Sequence, residues 1–506
     1  MARSYIEAVH AANIYDLAVE TPIARAPLLS ERFNNQICLK REDLQPVFSF
    51  KVRGAYNKLL HLSDDELARG VVAASAGNHA QGVAMAAKKM NVKATIVMPE
   101  TTPLIKVDAV RAYGADVILV GDNFGTAAAY AAKLVADQGL VFVHPFDDPD
   151  VIAGQGTIGM EIHRQHPERL DAVFIAVGGG GLCAGVAAYL KHMRPQTKII
   201  AVESDDAACL QAALDAGRPV QLPEVGIFAD GTAVAQIGEH TFAVLQDLVD
   251  QVITVTTDEI CAAIKDTFND TRAICEPSGA MGLAGLKKYV AESGVRGQTL
   301  LAIQCGANID FDRLRYISER TQTGEKREAI LAVTIDEKPG SFKAFCTALG
   351  RRNISEFNYR YSSTSVAQIF VGIQVLDDPD RQSVVESLSA RGYPVVDMTD
   401  NEMAKLHIRH MVGGRAPQVG EEQVYRFDFP ERPRALLDFL DLLGDRWNIS
   451  MFHYRNHGSA FGRVLVALQA PRESQPAIAD FLDTLGYRYV VETDNLSYQL
   501  FLADTD

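Results

Sequence analysis

From about residue 35 to residue 310 the chain alternates short, almost wholly apolar runs with longer alanine-rich segments. The runs are VVAAS (71–75), ATIVMP (94–99), DVILV (116–120), VFVHPF (141–146), AVFIAV (172–177), KIIAVE (198–203), QVITV (251–255) and TLLAIQ (299–304). A strand that is apolar at successive positions is buried on both faces, which is the pattern of a parallel sheet covered by helices. Between the runs, HAQGVAMAAKKMN (79–91) and GTAAAYAAKLVADQG (125–139) carry helical spacing. The alternation predicts a doubly wound α/β fold, and eight strands over this length suggest two lobes. Ligands of such sheets sit beyond the carboxyl ends of the strands, so the loops that follow the runs are where chemistry belongs.

After residue 325 the strands alternate apolar and polar positions and a long repeat appears. Residues 329–360 align with 424–455, so that Pro339 matches Pro433, Gly350 matches Gly444 and Ile354-Ser355 matches Ile449-Ser450. Farther on, Gly392-Tyr393 matches Gly486-Tyr487, and Thr399-Asp400-Asn401 matches Thr493-Asp494-Asn495. Each copy reads strand, helix, strand, strand, helix, strand, the split βαβ plan of ferredoxin-like modules. We expect a first domain over 1–322 and two modules over 328–400 and 424–496, with 411–423 joining them. Two copies are too few for a solenoid, so the pair should form one two-part domain.

Composition removes several classes of function. Of 506 residues, 47% are hydrophobic and 22% charged, which is ordinary for a globular chain and excludes disorder, collagen and a small disulfide scaffold. Forty-nine Lys and Arg against 64 Asp and Glu leave a net charge of −15, which repels phosphate backbones and anionic lipid, so neither nucleic acid nor a membrane is an expected partner. Seven scattered cysteines without a C-x-x-C suggest no zinc cage and no bridge framework, in keeping with a reducing cytoplasm. The opening MARSYIEAVHAANIYDLAVETP lacks the layout of a signal peptide, and the apolar stretch 171–190 is broken by glycines. A cytoplasmic protein is the expectation.

Four motifs at strand ends can carry chemistry. In Ser49-Phe50-Lys51-Val52-Arg53-Gly54-Ala55, which follows the charged cluster KREDLQ (40–45), Lys51 stands between an aromatic and an apolar residue at a turn into a helix. Desolvation there would favour the free amine that a Schiff base needs, although a solvated lysine beside a phenylalanine is the commoner case. Ala74-Ser75-Ala76-Gly77-Asn78-His79 follows VVAA. Its small residues let a ligand approach the backbone, and Ser75 and Asn78 can bind a carboxylate or ring oxygen, or can merely cap the next helix. His79 reads as a packed or capping histidine. Gly178-Gly179-Gly180-Gly181-Leu182 frees backbone N–H groups to converge on a phosphate, without the lysine of a Walker loop. Gln304-Cys305-Gly306-Ala307-Asn308 ends the last run, and Cys305 is either a buried apolar group or a weakly polar one facing a heterocycle. An imine-forming lysine, a phosphate cradle without a magnesium motif, and polar loops at neighbouring strand ends together match the parts of pyridoxal 5'-phosphate.

SFKVRGA, SAGNHAQG, HPFDDPDVIAGQGTIGMEI (144–162), GGGGL and CGAN, in that order, resemble the fold type II pyridoxal phosphate enzymes, the tryptophan synthase β-like group. With the duplicated tail, the whole chain is similar to the biosynthetic threonine dehydratase family, also called threonine deaminases. The resemblance implies that Lys51 carries the cofactor, Phe50 walls the ring and Asn78 bonds the ring hydroxyl. It implies further that Gly178, Gly179, Gly180, Gly181 and Leu182 hold the phosphate and that Cys305 faces the pyridine nitrogen. Ser75, Gly77 and the loop around Gln155-Gly156 would hold the substrate carboxylate. The implied activity is β-elimination of L-threonine, and more weakly of L-serine, to a 2-oxo acid and ammonia. A neutral thiol opposite the ring nitrogen would favour elimination over transamination.

Two departures narrow this reading. Related serine racemases carry a second serine where this chain has Ala76, which implies poor racemisation, and a carboxylate metal ligand where it has Cys209, six residues after Glu203, so no metal is expected. The tail modules resemble ACT-like domains, which in this family bind isoleucine as inhibitor and valine as opposing effector, and the family suggests a homotetramer. NISEFNYR and NISMFHYR would set Phe357, Tyr359, Phe452 and Tyr454 on alternating strand faces, the phenylalanines in the core. Competing readings are a serine dehydratase and a catalytically silent amino-acid sensor.

Overall fold

Strand pairing divides the apolar runs between two sheets. The computed structural model describes residues 2–100, 102, 104–121, 124–311, 313–324, 327–361, 365–401, 404, 416, 419–430, 435–455, 461–495, 498, 502 and 503. The chain separates into two units, Met1–Gly324 and Glu325–Asp506. Ten strands lie in the first unit: β1 (Ile23–Arg25), β2 (Gln36–Arg41), β3 (Val71–Ala74), β4 (Ala94–Met98), β5 (Asp116–Leu119), β6 (Val141–Phe142), β7 (Ala172–Ala176), β8 (Lys198–Ser204), β9 (Gln251–Val255) and β10 (Thr299–Gln304). They form a four-stranded parallel sheet, β5-β4-β3-β6, and a six-stranded sheet, β1-β2-β10-β7-β8-β9, in which β1 alone runs antiparallel. These are the two lobes. The central strands β3, β4 and β7 are buried at every position, and Phe174, Ile175, Ile200 and Leu301 lie at the core of the larger lobe.

β1 and β2 are not among the apolar runs, and one run is a strand over only part of its length. β2 ends on Lys40 and Arg41, yet the strand is buried because Lys40 Nζ meets Glu161 Oε2 at 2.6 Å and Arg41 meets Asp43 Oδ2 at 2.7 Å. The run 141–146 is a strand only at Val141–Phe142, because His144 Nδ1 accepts the backbone N–H groups of Phe146 and Asp147 and turns the chain. Gln155-Gly156 is not a loop. It lies inside helix Pro149–Gln165, which Asp148 starts by accepting the N–H groups of Asp150 and Val151, with Pro149 at the first helical position.

The second unit is one eight-stranded antiparallel sheet in which the two copies lie side by side. Its strands are β11 (Glu328–Asp336), β12 (Ile354–Arg360), β13 (Val366–Gln374), β14 (Val395–Asp397), β15 (Glu422–Pro430), β16 (Asn448–Arg455), β17 (Phe461–Gln469) and β18 (Arg488–Val491). The order β14-β11-β13-β12-β16-β17-β15-β18 is two mirrored sets of four, joined where β12 pairs with β16. Most of the joining segment 411–423 lies outside the described residues. Residues two apart on a strand share a face, so Phe357 and Tyr359, with Tyr454 and Phe452 opposite them, lie on one face and not on alternating ones. Phe357 and Phe452 are fully buried there in edge-to-face contact at 5.7 Å, under helices that include Ser341–Leu349 and Ala435–Leu443.

Candidate active site

Lys51 opens helix Lys51–Leu60, and Phe50 stands at its N-cap. The partly buried amine donates to the Pro145 carbonyl at 2.8 Å and lies 5.4 Å from the Phe50 ring centre. Burial lowers its pKa to about 8, against the opposing pull of the Cys305 thiol and the Glu276 carboxyl. The positive end of the helix dipole also disfavours an ammonium at this position. The residues before Lys51 are stitched to the last strand-end loop: Phe50 N–H donates to Cys305 O at 3.2 Å, Ala307 N–H donates to Phe48 O at 2.9 Å, and Ser49 bridges to Gly306. Two motifs more than 250 residues apart thus become one wall. Cys305 is buried, and desolvation pushes its thiol well above the ordinary range, so it is neutral.

The loop after β3 forms the next wall. Gly77, with no side chain, stands at the N-cap of helix Asn78–Met90, so neither Ser75 nor Asn78 caps it. Ser75 Oγ accepts the Gly77 N–H at 3.3 Å, and the space beside the Gly77 α-carbon is open. Asn78 Nδ2 donates to Glu276 Oε1 at 2.6 Å, and Asn78 Oδ1 accepts from Asn308 Nδ2 at 2.7 Å. Gly82, one turn on, packs against the Lys51 backbone, where a Cβ would lie 3.1 Å from its carbonyl carbon. His79 is buried, with its Nε2 bonded to Val143 O; burial and nearby Lys51 lower its pKa to about 3, so it is a packed neutral ring.

The glycine run lies between β7 and helix Gly181–Met193, with Gly180 at the N-cap in a left-handed conformation, φ 92°. No side chain fits along it. A Cβ would meet Thr232 Cα at 2.8 Å from Gly178, the Phe146 ring at 2.2 Å from Gly179 and Thr241 Cβ at 2.9 Å from Gly180. Thr241 Oγ1 fixes the run by donating to Gly179 O at 2.8 Å, and the helix beyond presents its first N–H groups, an anion site at the dipole's positive end. Pro145 and Phe146 tie this cradle to Lys51, since one accepts from Nζ while the other covers Gly179. Leu182, in the first turn, is buried.

Gln155 is buried against helix Lys51–Leu60. A Cβ on Gly54 would fall 2.3 Å from its Nε2, and its Oε1 has no hydrogen-bond partner among the described residues. Glu203 spends both oxygens on the backbone N–H groups of Leu210 and Gln211, at 2.7 and 2.9 Å, and Cys209 Sγ donates to Gly178 O at 3.3 Å. Among the described residues no cluster of three or more His, Cys, Asp or Glu is placed to hold a metal ion. Pyridoxal 5'-phosphate fits the donor set that is present: an amine poised for deprotonation, an anion cradle that admits no side chain, and a neutral thiol and an amide on the flanking loops.

Sequence reasoning missed Glu276, and it read the turn at His144–Phe146 as the continuation of a strand. In EPSGA (276–280) the acid before a proline reads as an ordinary first-turn residue, and only the approach of β3 and β10 turns it into the site.

A family model described as pyridoxal-phosphate dependent enzyme matches residues 14–306, and one described as C-terminal regulatory domain of threonine dehydratase matches twice, over 319–408 and 413–502. The chain is 52% identical over 500 residues to the biosynthetic L-threonine dehydratase IlvA of Escherichia coli, covering 99% of this chain and 97% of that one. It is 49% identical to the mitochondrial threonine dehydratase of Saccharomyces cerevisiae, over 98% and 89% of the two chains. Among solved structures, the processed form of threonine deaminase isoform 2 from Solanum lycopersicum matches at 50% identity and TM-score 0.62, covering 63% of this chain and 93% of that one. Maize serine racemase matches at 32% identity and TM-score 0.59, over 62% and 95%.

Proposed function

The chain belongs to the pyridoxal-phosphate-dependent biosynthetic threonine dehydratases, with a duplicated C-terminal regulatory domain, and on that premise we propose how its own residues carry the reaction. L-Threonine, and more weakly L-serine, loses its β-hydroxyl and amino group to give 2-oxobutanoate or pyruvate and ammonia, the first step of isoleucine biosynthesis. Pyridoxal 5'-phosphate, when bound, supplies an electron sink for the charge left on Cα. Lys51 would be its point of attachment, and the Lys51 amine is the base that would take the Cα proton at Nζ. A pKa near 8 leaves a sizeable neutral fraction of that amine at pH 7 to 8, which is what a general base requires. The Pro145 carbonyl holds Nζ beside the cradle. The backbone of Gly178, Gly179, Gly180, Gly181 and Leu182 binds the phosphate, Asn78 the ring hydroxyl, and Phe50 and Cys305 flank the ring. The neutral thiol of Cys305 cannot protonate the ring nitrogen as a carboxylic acid would, which keeps the reaction on elimination. Ser75, Gly77 and Gln155 take the substrate carboxylate, Gly77 leaving open space beside its α-carbon.

The observation that carries this reading is the shifted, partly buried Lys51 amine between the cradle and the Cys305 loop. Borohydride reduction of the yellow enzyme followed by peptide mapping tests it: the label is expected on Lys51, and a label elsewhere, or a colourless protein, refutes it. Product assays with threonine and serine fix the substrate order.

Isoleucine inhibits and valine opposes it, we propose, at a small cavity between the two copies in the regulatory unit. Lys338, paired with Asp336, and Lys343, paired with Asp441, are the cations on its wall, and Leu440, Leu443 and Trp447 suit a branched side chain. The assembly is proposed as a homotetramer, and the location as cytoplasmic. Among the described residues no helix is long and apolar enough to cross a membrane.

A further inference from the structure

Glu276 stands at the N-cap of helix Pro277–Ser293 but makes no side-chain bond to that helix. It is 4% exposed, and its side chain turns into the site. Its backbone N–H donates to Gly306 O at 3.1 Å, and a Cβ on Gly306 would lie 2.5 Å from Oε1, so the carboxyl is wedged against the loop that carries Cys305. Nothing in the proton transfer assigned to Lys51 employs it. Burying a carboxyl this deeply is costly, so its geometry should serve a partner.

That partner is Asn78. Oε1 accepts one Nδ2 proton at 2.6 Å, while Asn308, anchored on Val47 O at 2.8 Å, donates Nδ2 to Asn78 Oδ1 at 2.7 Å. An amide orientation is ordinarily assigned from its hydrogen-bond network, and here both ends are committed. Flipping the Asn78 amide would set its oxygen against the Glu276 carboxyl and its NH2 against the Asn308 NH2, losing both bonds. The second Nδ2 proton therefore points in one fixed direction. We propose that Glu276 is a positioning residue that, through Asn78 and against the Asn308 clamp, fixes the amide proton offered to the ring hydroxyl oxygen of the pyridoxal cofactor. The ring is thereby held in register with Lys51. This rests on the cofactor assignment above.

The test uses the full-length holoenzyme. In E276L the amide loses its acceptor, and we expect the ratio of visible to near-ultraviolet absorbance of the bound cofactor to change. The cofactor dissociation constant should rise about tenfold, the effect of losing one hydrogen bond, and kcat should fall more than KM changes. E276Q, whose amide oxygen can still accept from Asn78, should recover most of each effect. N308A releases the other end of the clamp and should shift the spectrum in the same sense, which keeps the test decisive if E276L does not fold. A parental spectrum and dissociation constant in E276L, or a parental spectrum in N308A, overturns the proposal. Parental enzyme that binds no cofactor at Lys51 overturns the reading beneath it instead.

Discussion

Replacing Arg53 with methionine isolates one of the costliest features of the first unit. The side chains of Lys40, Glu42, Arg53 and Glu161 are all fully buried, two cations against two anions. Arg53 donates to both Glu42 oxygens at 2.8 and 2.9 Å and to both Glu161 oxygens at 2.6 and 3.0 Å. Without it, Glu161 keeps Lys40 at 2.6 Å and the Tyr15 hydroxyl at 2.9 Å, whereas Glu42 keeps only Thr21 Oγ1 and Gln45 Nε2. The variant therefore buries one uncompensated negative charge, and losing one partner of such a pair costs about 3–5 kcal/mol. That is a large share of the roughly 5–15 kcal/mol that holds a domain folded. Urea unfolding of cofactor-saturated enzyme should report it, and the double variant R53M/E42Q, which removes the stranded charge, should regain part of the loss. The pH dependence gives a second check. In the parent, burial works to raise the Glu42 carboxyl but the Arg53 guanidinium, with Lys40 and the Thr21 hydroxyl, more than reverses it, so the group lies below its ordinary value and its contribution fades as pH falls. In R53M only Lys40 and the Thr21 hydroxyl still oppose burial and the carboxyl rises, so the sign inverts and the variant's penalty should grow as pH rises above the ordinary carboxylate value. A loss under about 1 kcal/mol, or an R53M/E42Q protein weaker than R53M, would refute the argument that these charges are sealed from water.

Three further outcomes follow from the same structure. With apoenzyme and added pyridoxal phosphate, the rate of covalent attachment should climb with pH and level off near 8, the Lys51 value, and a rise continuing toward 10.5 would show a solvated amine. G179A drives a methyl group into the Phe146 ring, a contact of 2.2 Å, and should weaken cofactor binding about tenfold or more at little cost to the thermal midpoint; unchanged affinity in equilibrium titration would place the phosphate elsewhere. F452A opens the aromatic cluster shared by the two copies and should destabilise the regulatory unit by about 3–5 kcal/mol and abolish isoleucine inhibition while catalysis persists, measured by thermal unfolding and rate assay.

How far the sequence could be read depended on whether a residue's environment lies near it in the chain. β3, β4 and β7 are apolar at every position, and burial on both faces demands nothing else, so those runs could be read as parallel strands directly. The glycine run was equally legible, because four residues without side chains after a buried strand have few uses besides close approach. β2 was opaque for the opposite reason: Lys40 looks like surface until Glu161, 121 residues later, arrives to neutralise it. The resemblance sets Gln155 in a loop, yet Asp148 and Pro149 start a helix there, and Gly54 and Gly154 let that helix approach the one that carries Lys51 to within contact of backbone. Glu276 was hidden most completely. Its role depends on strand order, since β10 sets Gly306 and Asn308 next to Phe48 and Val47, and the loop after β3 brings Asn78 between Asn308 and the carboxyl. Local pattern thus reveals where backbone must be bare or buried. The groups that set protonation and aim are chosen by contacts across the sheet order, and one chain read in line does not display them.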